Sequence, residues 1–149
     1  MKFIVASRND IERGIVVRTP YVVVSITDPG TRRPRIPKPA GFRDALYLKF
    51  HDAEPLEGER LPSEIVLMTR GHAEMIWDFV SRHQDRVGTV VVHCEQGMSR
   101  SPAVAAAIAK RFDINNDCFF LQWQPNVYIY ALMCSTAADN ESAADRHLS

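Results

Sequence analysis

The chain has 149 residues, of which 46% are hydrophobic and 24% charged, so it can build one core of ordinary size. Lys and Arg number 18 and Asp and Glu also number 18, which gives a formal net charge of zero. This balance argues against bulk attraction to nucleic acid or to an anionic membrane. No apolar run approaches the length of a membrane span. We expect a single domain over residues 1–149.

The hydrophobic pattern predicts strands that alternate with helices. The predicted strands are Lys2–Ala6, Tyr21–Ile26, Ala45–Phe50 and Thr89–His93. The predicted helices are a short one through Asp10–Arg13 with Ser7 as its cap, a long one that opens at Pro62-Ser63, one over Ser101–Phe112, and one from Pro125-Asn126 to about Cys134. The order predicts an α/β fold with a mostly parallel central sheet of about four strands, covered by helices on both faces. Residues from about 138 to 149 are small and polar, which predicts a flexible C-terminal tail.

A parallel sheet brings the carboxyl ends of its strands to one edge, where ligands bind. We therefore expect the loops after Ile26, Phe50 and His93 to face a common crevice.

The segment His93–Pro102 has the composition of a phosphate site with a nucleophile. Cys94 stands at the end of a buried strand, six positions before Arg100, and a helix follows. The backbone N–H groups of a tight loop and a helix N-terminus neutralise a phosphate dianion, and the same dipoles favour a thiolate. Arg100 supplies a planar fork for two phosphate oxygens. The predicted loop consists of Glu95, Gln96, Gly97, Met98, Ser99 and Arg100, with His93 as a supporting residue. Ser101 is placed to donate a hydrogen bond to the Cys94 sulfur.

The pattern His-Cys-x-x-Gly-x-Ser-Arg-Ser-Pro resembles the signature loop of cysteine-dependent protein tyrosine phosphatases, in particular small dual-specificity and compact prokaryotic-type enzymes. As a coarse pattern the resemblance covers residues 20–135, although only the ten-residue loop is specific. It implies a phosphocysteine intermediate on Cys94, bidentate phosphate binding by Arg100, and neither a metal nor another cofactor. It also implies hydrolysis of phosphotyrosine, with phosphoserine and phosphothreonine as further substrates, and a phosphorylated protein or peptide as partner.

The general acid is less well defined by the sequence. The resemblance implies an aspartate on a neighbouring loop, and Asp52 stands at the matching place, after the predicted third strand. Glu54 is the second candidate, and Asp28, which follows another strand at the same edge, is the third. The segment Arg32–Lys38 carries four positive charges; it either attracts phosphorylated substrates or is a solvated loop.

Alternative functions remain open. Rhodanese-type sulfur transfer also uses a loop cysteine, but it does not need an arginine that grips a phosphate. The same loop could serve a phosphoinositide phosphatase or an RNA 5′-phosphatase, although such substrates favour lysines in the loop, where this chain has Glu95, Gln96 and Met98. A catalytically silent module that binds phosphorylated residues is the alternative from a different class.

The three cysteines, Cys94, Cys118 and Cys134, are odd in number and lack the spacing of a zinc site, which argues against a disulfide framework or a bound metal. Free thiols favour a reducing compartment, so we expect a cytoplasmic protein. We interpret Cys118 and Cys134 as core residues.

Overall fold

The computed structural model describes the backbone of residues 1–148 and the side chains of residues 1–143. Four parallel strands form the sheet: β1 (Lys2–Ser7), β2 (Tyr21–Thr27), β3 (Phe42–Lys49) and β4 (Thr89–Cys94). Five helices accompany them: α1 (Arg8–Arg13), α2 (Arg70–His83), α3 (Arg100–Arg111), α4 (Asp117–Gln122) and α5 (Val127–Leu148). The strand order is β1-β4-β2-β3, and every pair is parallel. The prediction of an α/β fold with a four-stranded parallel sheet is confirmed.

The sheet is buried on both faces, as its valine-rich strands require. Every residue of β2 and of β4 is buried. The larger core lies between the sheet and the helices α2, α3, α4 and α5, and the all-buried stretch Ser101–Ala109 shows how closely α3 packs on the strands. Because this stretch is rich in alanine, the helix approaches the sheet closely.

The second face carries one short helix, in line with the prediction, and is otherwise covered by irregular chain. There, α1 contributes Ile11, and irregular chain contributes the partly buried Ile15 and Val17 and the buried Ile36. Ile36 belongs to the basic segment Arg32–Lys38, so one function of that segment is to cover the sheet. Within it, Arg32 pairs with Glu12 at 3.3 Å, and the Arg33 guanidinium lies 3.9 Å from the centre of the Tyr47 ring.

Two helix boundaries differ from the prediction. The long helix begins at Arg70 and not at Pro62, because Thr69 forms a capping box with His72. The preceding chain is held in irregular form by His51, whose backbone N–H donates to the Val66 carbonyl at 2.7 Å and whose Nδ1 accepts from the Val66 N–H at 2.9 Å.

The last helix continues well past Cys134, so the expected ending there is wrong. The segment from about residue 138, expected to be a flexible tail, is helical through Leu148. Ion pairs of Asp139 with Arg70 at 2.6 Å and of Glu141 with Arg111 at 3.1 Å fasten this extension to α2 and α3. None of the helices within residues 1–148 is both long enough and apolar enough to span a bilayer.

Candidate active site

The nucleophile candidate lies where β4 ends. Cys94 is the last residue of that strand, and its thiol is buried. The Gly97 N–H donates to Sγ at 3.2 Å, and the Ser101 hydroxyl lies 3.1 Å from the same sulfur. Two groups able to donate hydrogen bonds to a thiolate therefore surround Sγ, and α3 begins at Arg100, so its N-terminal dipole is directed at the same loop.

The shape of the loop depends on Gly97. Its φ of +71° lies in the left-handed region, and a Cβ at this position would lie 2.8 Å from backbone atoms of Ala6 and Ser7. The loop thus packs directly on the end of β1, and the Arg8 N–H donates to the Glu95 carbonyl at 3.2 Å. Only glycine fits both the dihedral angle and the space.

Arg100 is nearly buried, with 5% of its surface exposed. Its Nη1 donates to Asp28 Oδ1 at 2.7 Å and to the Phe50 carbonyl at 2.7 Å. Asp28 follows β2 and Phe50 follows β3, so Arg100 contacts the loops that follow both strands. Both hydrogen bonds use Nη1, so the edge formed by Nε and Nη2 is the one that would meet a phosphate.

His93 supports the loop from within the core. Its Nδ1 lies 3.3 Å from the Cys94 carbonyl, and its Nε2 lies 2.7 Å from the Ser25 hydroxyl. Burial lowers the pKa of His93 to about 4, so the ring is neutral at pH 7. Because a carbonyl only accepts, Nδ1 carries the proton and Nε2 accepts from Ser25. This arrangement fixes the ring and supports a positioning role for His93.

The three acid candidates have different surroundings. Asp52 Oδ1 accepts from the Ser99 hydroxyl and from Asn126 Nδ2, both at 2.8 Å. Glu54 accepts from the Val127 N–H at 3.0 Å, at the start of α5. Asp28 forms the ion pair with Arg100 described above.

Asp52 and Glu54 line the same cleft as the nucleophile. This open cleft has a volume of about 590 Å³. Its lining residues are Asp52, Glu54, Cys94, Gln96, Met98, Ser99, Arg100, Gln124, Pro125 and Val127. The loops after β3 and β4 thus face one crevice as predicted, but the expectation that the loop after β2 joins them is wrong. Asp28 and the segment Arg32–Lys38, which belong to that loop, are not among the described residues that line the cleft.

Comparison of the sequence with models of protein families gives no match, and comparison with curated protein sequences gives none either. Solved structures do match. Human DUSP28 superposes with a TM-score of 0.60 at 16% identity, over 95% of this chain and 94% of that one. A human tyrosine phosphatase-like serine/threonine/tyrosine-interacting protein has a TM-score of 0.54 at 19% identity, over 80% and 77% of the two chains. A mouse putative dual specificity phosphatase, solved with zinc tungstate, has a TM-score of 0.52 at 20% identity, over 83% and 74%.

The chain has the fold of a dual-specificity phosphatase. The resemblance, expected as a coarse pattern over residues 20–135, is thus a similarity of fold over up to 95% of the chain. At identities of 16–20% the shared property is the fold, and the chemistry of the site has to be argued from the residues present.

Two residues that shape the site carried little or no signal in the sequence. Asn126 is completely buried and links the loop after β3, the loop after β4 and the start of α5. Its Nδ2 donates to Asp52 and to the Ala53 carbonyl. Its Oδ1 accepts from the Ile129 N–H, and its own N–H donates to the Ser99 carbonyl. The Pro125-Asn126 pair was its only sequence signal, at the start of the last helix.

Arg8 is a second such residue, and nothing in its sequence context marks it. Its side chain contacts Glu12 at 3.0 Å, Glu95 at 3.2 Å and the Arg32 carbonyl at 2.7 Å. It therefore joins α1, the phosphate-loop candidate and the basic segment.

Cys118 and Cys134 are free like Cys94, but Cys118 is exposed, so its interpretation as a core residue is wrong. Among the described residues, no group of three or more His, Cys, Asp or Glu side chains is arranged to hold a metal ion.

Proposed function

We infer that the protein is a phosphatase that hydrolyses phosphate monoesters on proteins, with phosphotyrosine as the first substrate class and phosphoserine and phosphothreonine as further ones. The observation that carries this proposal is the surroundings of the Cys94 sulfur. A buried thiol accepts from the Gly97 N–H at 3.2 Å and lies 3.1 Å from Ser101, within a loop that ends in Arg100. A structural cysteine needs no such donors.

In the first step, the Cys94 thiolate attacks phosphorus while Arg100 and the loop N–H groups hold the phosphate oxygens. The S–P bond forms and the bond from phosphorus to the leaving oxygen breaks. A carboxylic acid gives its proton to that oxygen, which leaves as an alcohol or phenol. The enzyme now carries a phosphocysteine and a carboxylate.

In the second step, water attacks the phosphocysteine. The carboxylate takes a proton from the water, the S–P bond breaks, and inorganic phosphate and the thiolate are formed. The Ser101 hydroxyl, 3.1 Å from Sγ, stabilises the developing negative charge on sulfur by a hydrogen bond. The cycle needs no metal and regenerates the starting protonation states.

We assign the acid role to Asp52. This carboxylate lines the cleft with Cys94, and its two hydrogen bonds, from Ser99 and Asn126, both end on Oδ1. These bonds orient the group, so Oδ2 is the oxygen that would carry the transferred proton. Glu54 also lines the cleft, but only one hydrogen bond, from the Val127 N–H, orients its carboxylate, and Asp28 is paired with Arg100 outside the cleft lining.

The cleft lining favours an aromatic substrate over a polyanionic one. Arg100 is the only basic side chain among its described lining residues, and Asp52 and Glu54 add negative charge. A phosphoinositide or an RNA 5′-phosphate carries further phosphates that these carboxylates would repel. Met98 and Val127 are both about half exposed or more and present apolar surface to the cleft.

The test uses Cys94→Ser with Cys118→Ser as its matched control, because Cys118 is exposed on α4 and outside the cleft. Hydrolysis of p-nitrophenyl phosphate should fall at least about 10³-fold in Cys94→Ser and stay at the wild-type rate in Cys118→Ser. Calorimetry should show that Cys94→Ser still binds a phosphotyrosine peptide. Hydrolysis that survives in Cys94→Ser would overturn the mechanism, and binding by the wild type without phosphate release would favour the silent module.

Asp52→Asn tests the acid assignment with a series of aryl phosphates. The loss in kcat/KM, which reports the first step alone, should be small for a nitrophenol leaving group, which departs without a proton, and about 10²-fold or more for phenol itself. An equal loss across the series would transfer the acid role to another carboxylate.

A further inference from the structure

Asp28 is the carboxylate at the site whose contacts suit it least to proton transfer. Its Oδ1 accepts from Arg100 Nη1 at 2.7 Å, and 5% of the Arg100 side chain is exposed, against 42% of the Asp28 side chain. The Phe50 carbonyl accepts from the same nitrogen at 2.7 Å. Residues that follow β2 and β3 thus hold Arg100 through Nη1, on the side of the guanidinium opposite the Nε and Nη2 donors.

A second set of contacts holds Asp28 itself. The Asp28 N–H donates to Glu95 Oε1 at 3.4 Å, and Arg8 Nη1 donates to the same Glu95 oxygen at 3.2 Å. The Asp28 carbonyl accepts from the Thr31 N–H at 3.2 Å and from the Thr31 hydroxyl at 2.6 Å. The backbone that carries the carboxylate is therefore fixed on both sides of the residue.

The Glu95 side chain turns away from the cleft, whose lining includes its neighbours Cys94 and Gln96 but not Glu95. A carboxylate in a phosphate-binding loop would repel the substrate if it faced the phosphate. Its contacts with Arg8 and with the Asp28 N–H explain why an acidic residue is accepted at this position of the loop.

We propose that Asp28 is a positioning residue for Arg100, and that Glu95, fastened by Arg8, holds Asp28 in the place where it does this. The chain of contacts runs Arg8–Glu95–Asp28–Arg100 and joins α1, the loop that follows β4, and the end of β2. The proposal rests on the proposed function, since Arg100 is the residue that would grip the transferred phosphoryl group.

The positioning role separates two variants of Asp28 that a general acid would not separate. An asparagine keeps an oxygen that accepts from Arg100 Nη1, whereas an alanine removes it. Neither variant can give a proton to a leaving group. Asp28→Asn should therefore keep kcat/KM for p-nitrophenyl phosphate within about threefold of the wild type, and Asp28→Ala should lose about tenfold to a hundredfold, the range for a hydrogen bond to a charged group.

A second readout measures anion binding without turnover. Tungstate has the shape and charge of phosphate, and its dissociation constant should rise in Asp28→Ala by the same factor as the loss in kcat/KM, with little change in Asp28→Asn. Asp78→Ala is the matched control, because Asp78 also pairs with an arginine, Arg82, but on the exposed surface of α2. It should change neither quantity, and thermal unfolding of each variant establishes that the fold is kept.

The Glu95 link is tested by a double-mutant cycle. Glu95→Ala should weaken tungstate binding in the same direction as Asp28→Ala, and the double variant should be no worse than Asp28→Ala, because both changes release one arginine. Independent, additive losses would show that Glu95 does not act through Asp28.

Equal losses of activity in Asp28→Asn and Asp28→Ala with unchanged tungstate binding would make Asp28 a proton donor and overturn the proposal. Unchanged values in both variants would also overturn it. If the wild type binds tungstate but hydrolyses no phosphate ester, the proposed function fails, and the tungstate series still decides the role of Asp28. A wild type that does not bind tungstate at all contradicts both.

Discussion

The substitution Gly97→Ala tests whether the loop geometry seen around Cys94 is required for activity. Gly97 has a φ of +71°, and its N–H donates to the Cys94 sulfur at 3.2 Å. An added Cβ would lie 2.8 Å from the Ala6 carbonyl carbon, 2.8 Å from the Ser7 nitrogen and 2.9 Å from the Ala6 oxygen. These are backbone atoms of β1, a strand hydrogen-bonded to β4, so they cannot rotate away as a flexible side chain would.

The expected size of the effect has two parts. An L-residue in the left-handed region costs about 1–2 kcal/mol. Relief of a 2.8 Å contact requires a movement of about 0.7–1.2 Å, since carbon atoms prefer a separation of about 3.5–4.0 Å. Such overpacking costs about 1–3 kcal/mol. We therefore expect Gly97→Ala to lower the free energy of unfolding by about 2–5 kcal/mol. The same movement displaces the N–H from the sulfur, and a misplacement of about 1 Å lowers turnover about 10²-fold.

The assay combines urea unfolding with kcat/KM for p-nitrophenyl phosphate, and Gly58→Ala is the matched control. Gly58 also has a positive φ, +77°, but no atom lies within 4 Å of the position that its Cβ would take. Gly58→Ala should lose about 1 kcal/mol of stability through strain alone and should keep full activity. A Gly97→Ala protein that resembles Gly58→Ala in both measurements would refute the argument that the loop must pack on β1.

Three further predictions concern the residues around the nucleophile. Asn126→Ala removes the cap of α5, so it should lower the free energy of unfolding by about 1–3 kcal/mol. It also removes a hydrogen bond to Asp52, so it should lower kcat. An unchanged kcat for phenyl phosphate would contradict the expected effect on Asp52. Ser101→Ala should slow the second step about tenfold and leave the first intact, so rapid-quench measurements should show a burst of released phenol, and a linear time course would contradict this. The pKa of His93 lies near 4 in the folded protein and near 6.5 in the unfolded chain. Between these pH values the unfolded chain binds more protons than the folded protein, so the free energy of unfolding decreases as the pH is lowered below about 6.5. Between pH 7 and pH 5 this group should lower the free energy of unfolding by about 2 kcal/mol. In urea unfolding, this part of the pH dependence should disappear in His93→Gln. An unchanged pH dependence would contradict a buried neutral ring.

The strands and the nucleophile loop could be predicted from the sequence because their signals are local. The valine runs in β2 and β4 leave few alternatives to buried strands, and Ser7 caps α1 as the sequence indicates. The loop residues from Cys94 to Ser101 are consecutive, so their order alone places a thiol, a glycine turn and an arginine at one helix N-terminus.

The errors in the helices have a common cause, which is that contacts between distant residues set the boundaries. Ile65 and Met68 have helical spacing with the residues of α2. However, His51 holds Val66 in irregular chain, so the helix begins only at Arg70, after the Thr69 cap. In the same way, ion pairs to α2 and α3 accompany the extension of α5 over residues of polar composition that looked like a tail.

The partners of the loop were beyond the reach of sequence reasoning for the same reason. The sequence placed Asp28 and Asp52 at one sheet edge, but nothing in it distinguishes a carboxylate that pairs with Arg100 from one that is oriented by Ser99 and Asn126. These contacts join residues that are 47 to 74 positions apart. They depend on how the elements pack in space, which the order of residues in the sequence does not give.

In the proposed mechanism, Cys94 forms a covalent bond to the phosphoryl group of the substrate, and this intermediate can be trapped. The Ser101→Ala protein is mixed with phenyl phosphate, quenched in acid within the first turnover and digested, and the peptide that contains Cys94 is examined by mass spectrometry. The mechanism predicts one added phosphoryl group on that peptide, in an amount equal to the burst of phenol. Phenol released in a burst with no phosphate on Cys94, or with phosphate on another residue, would contradict it.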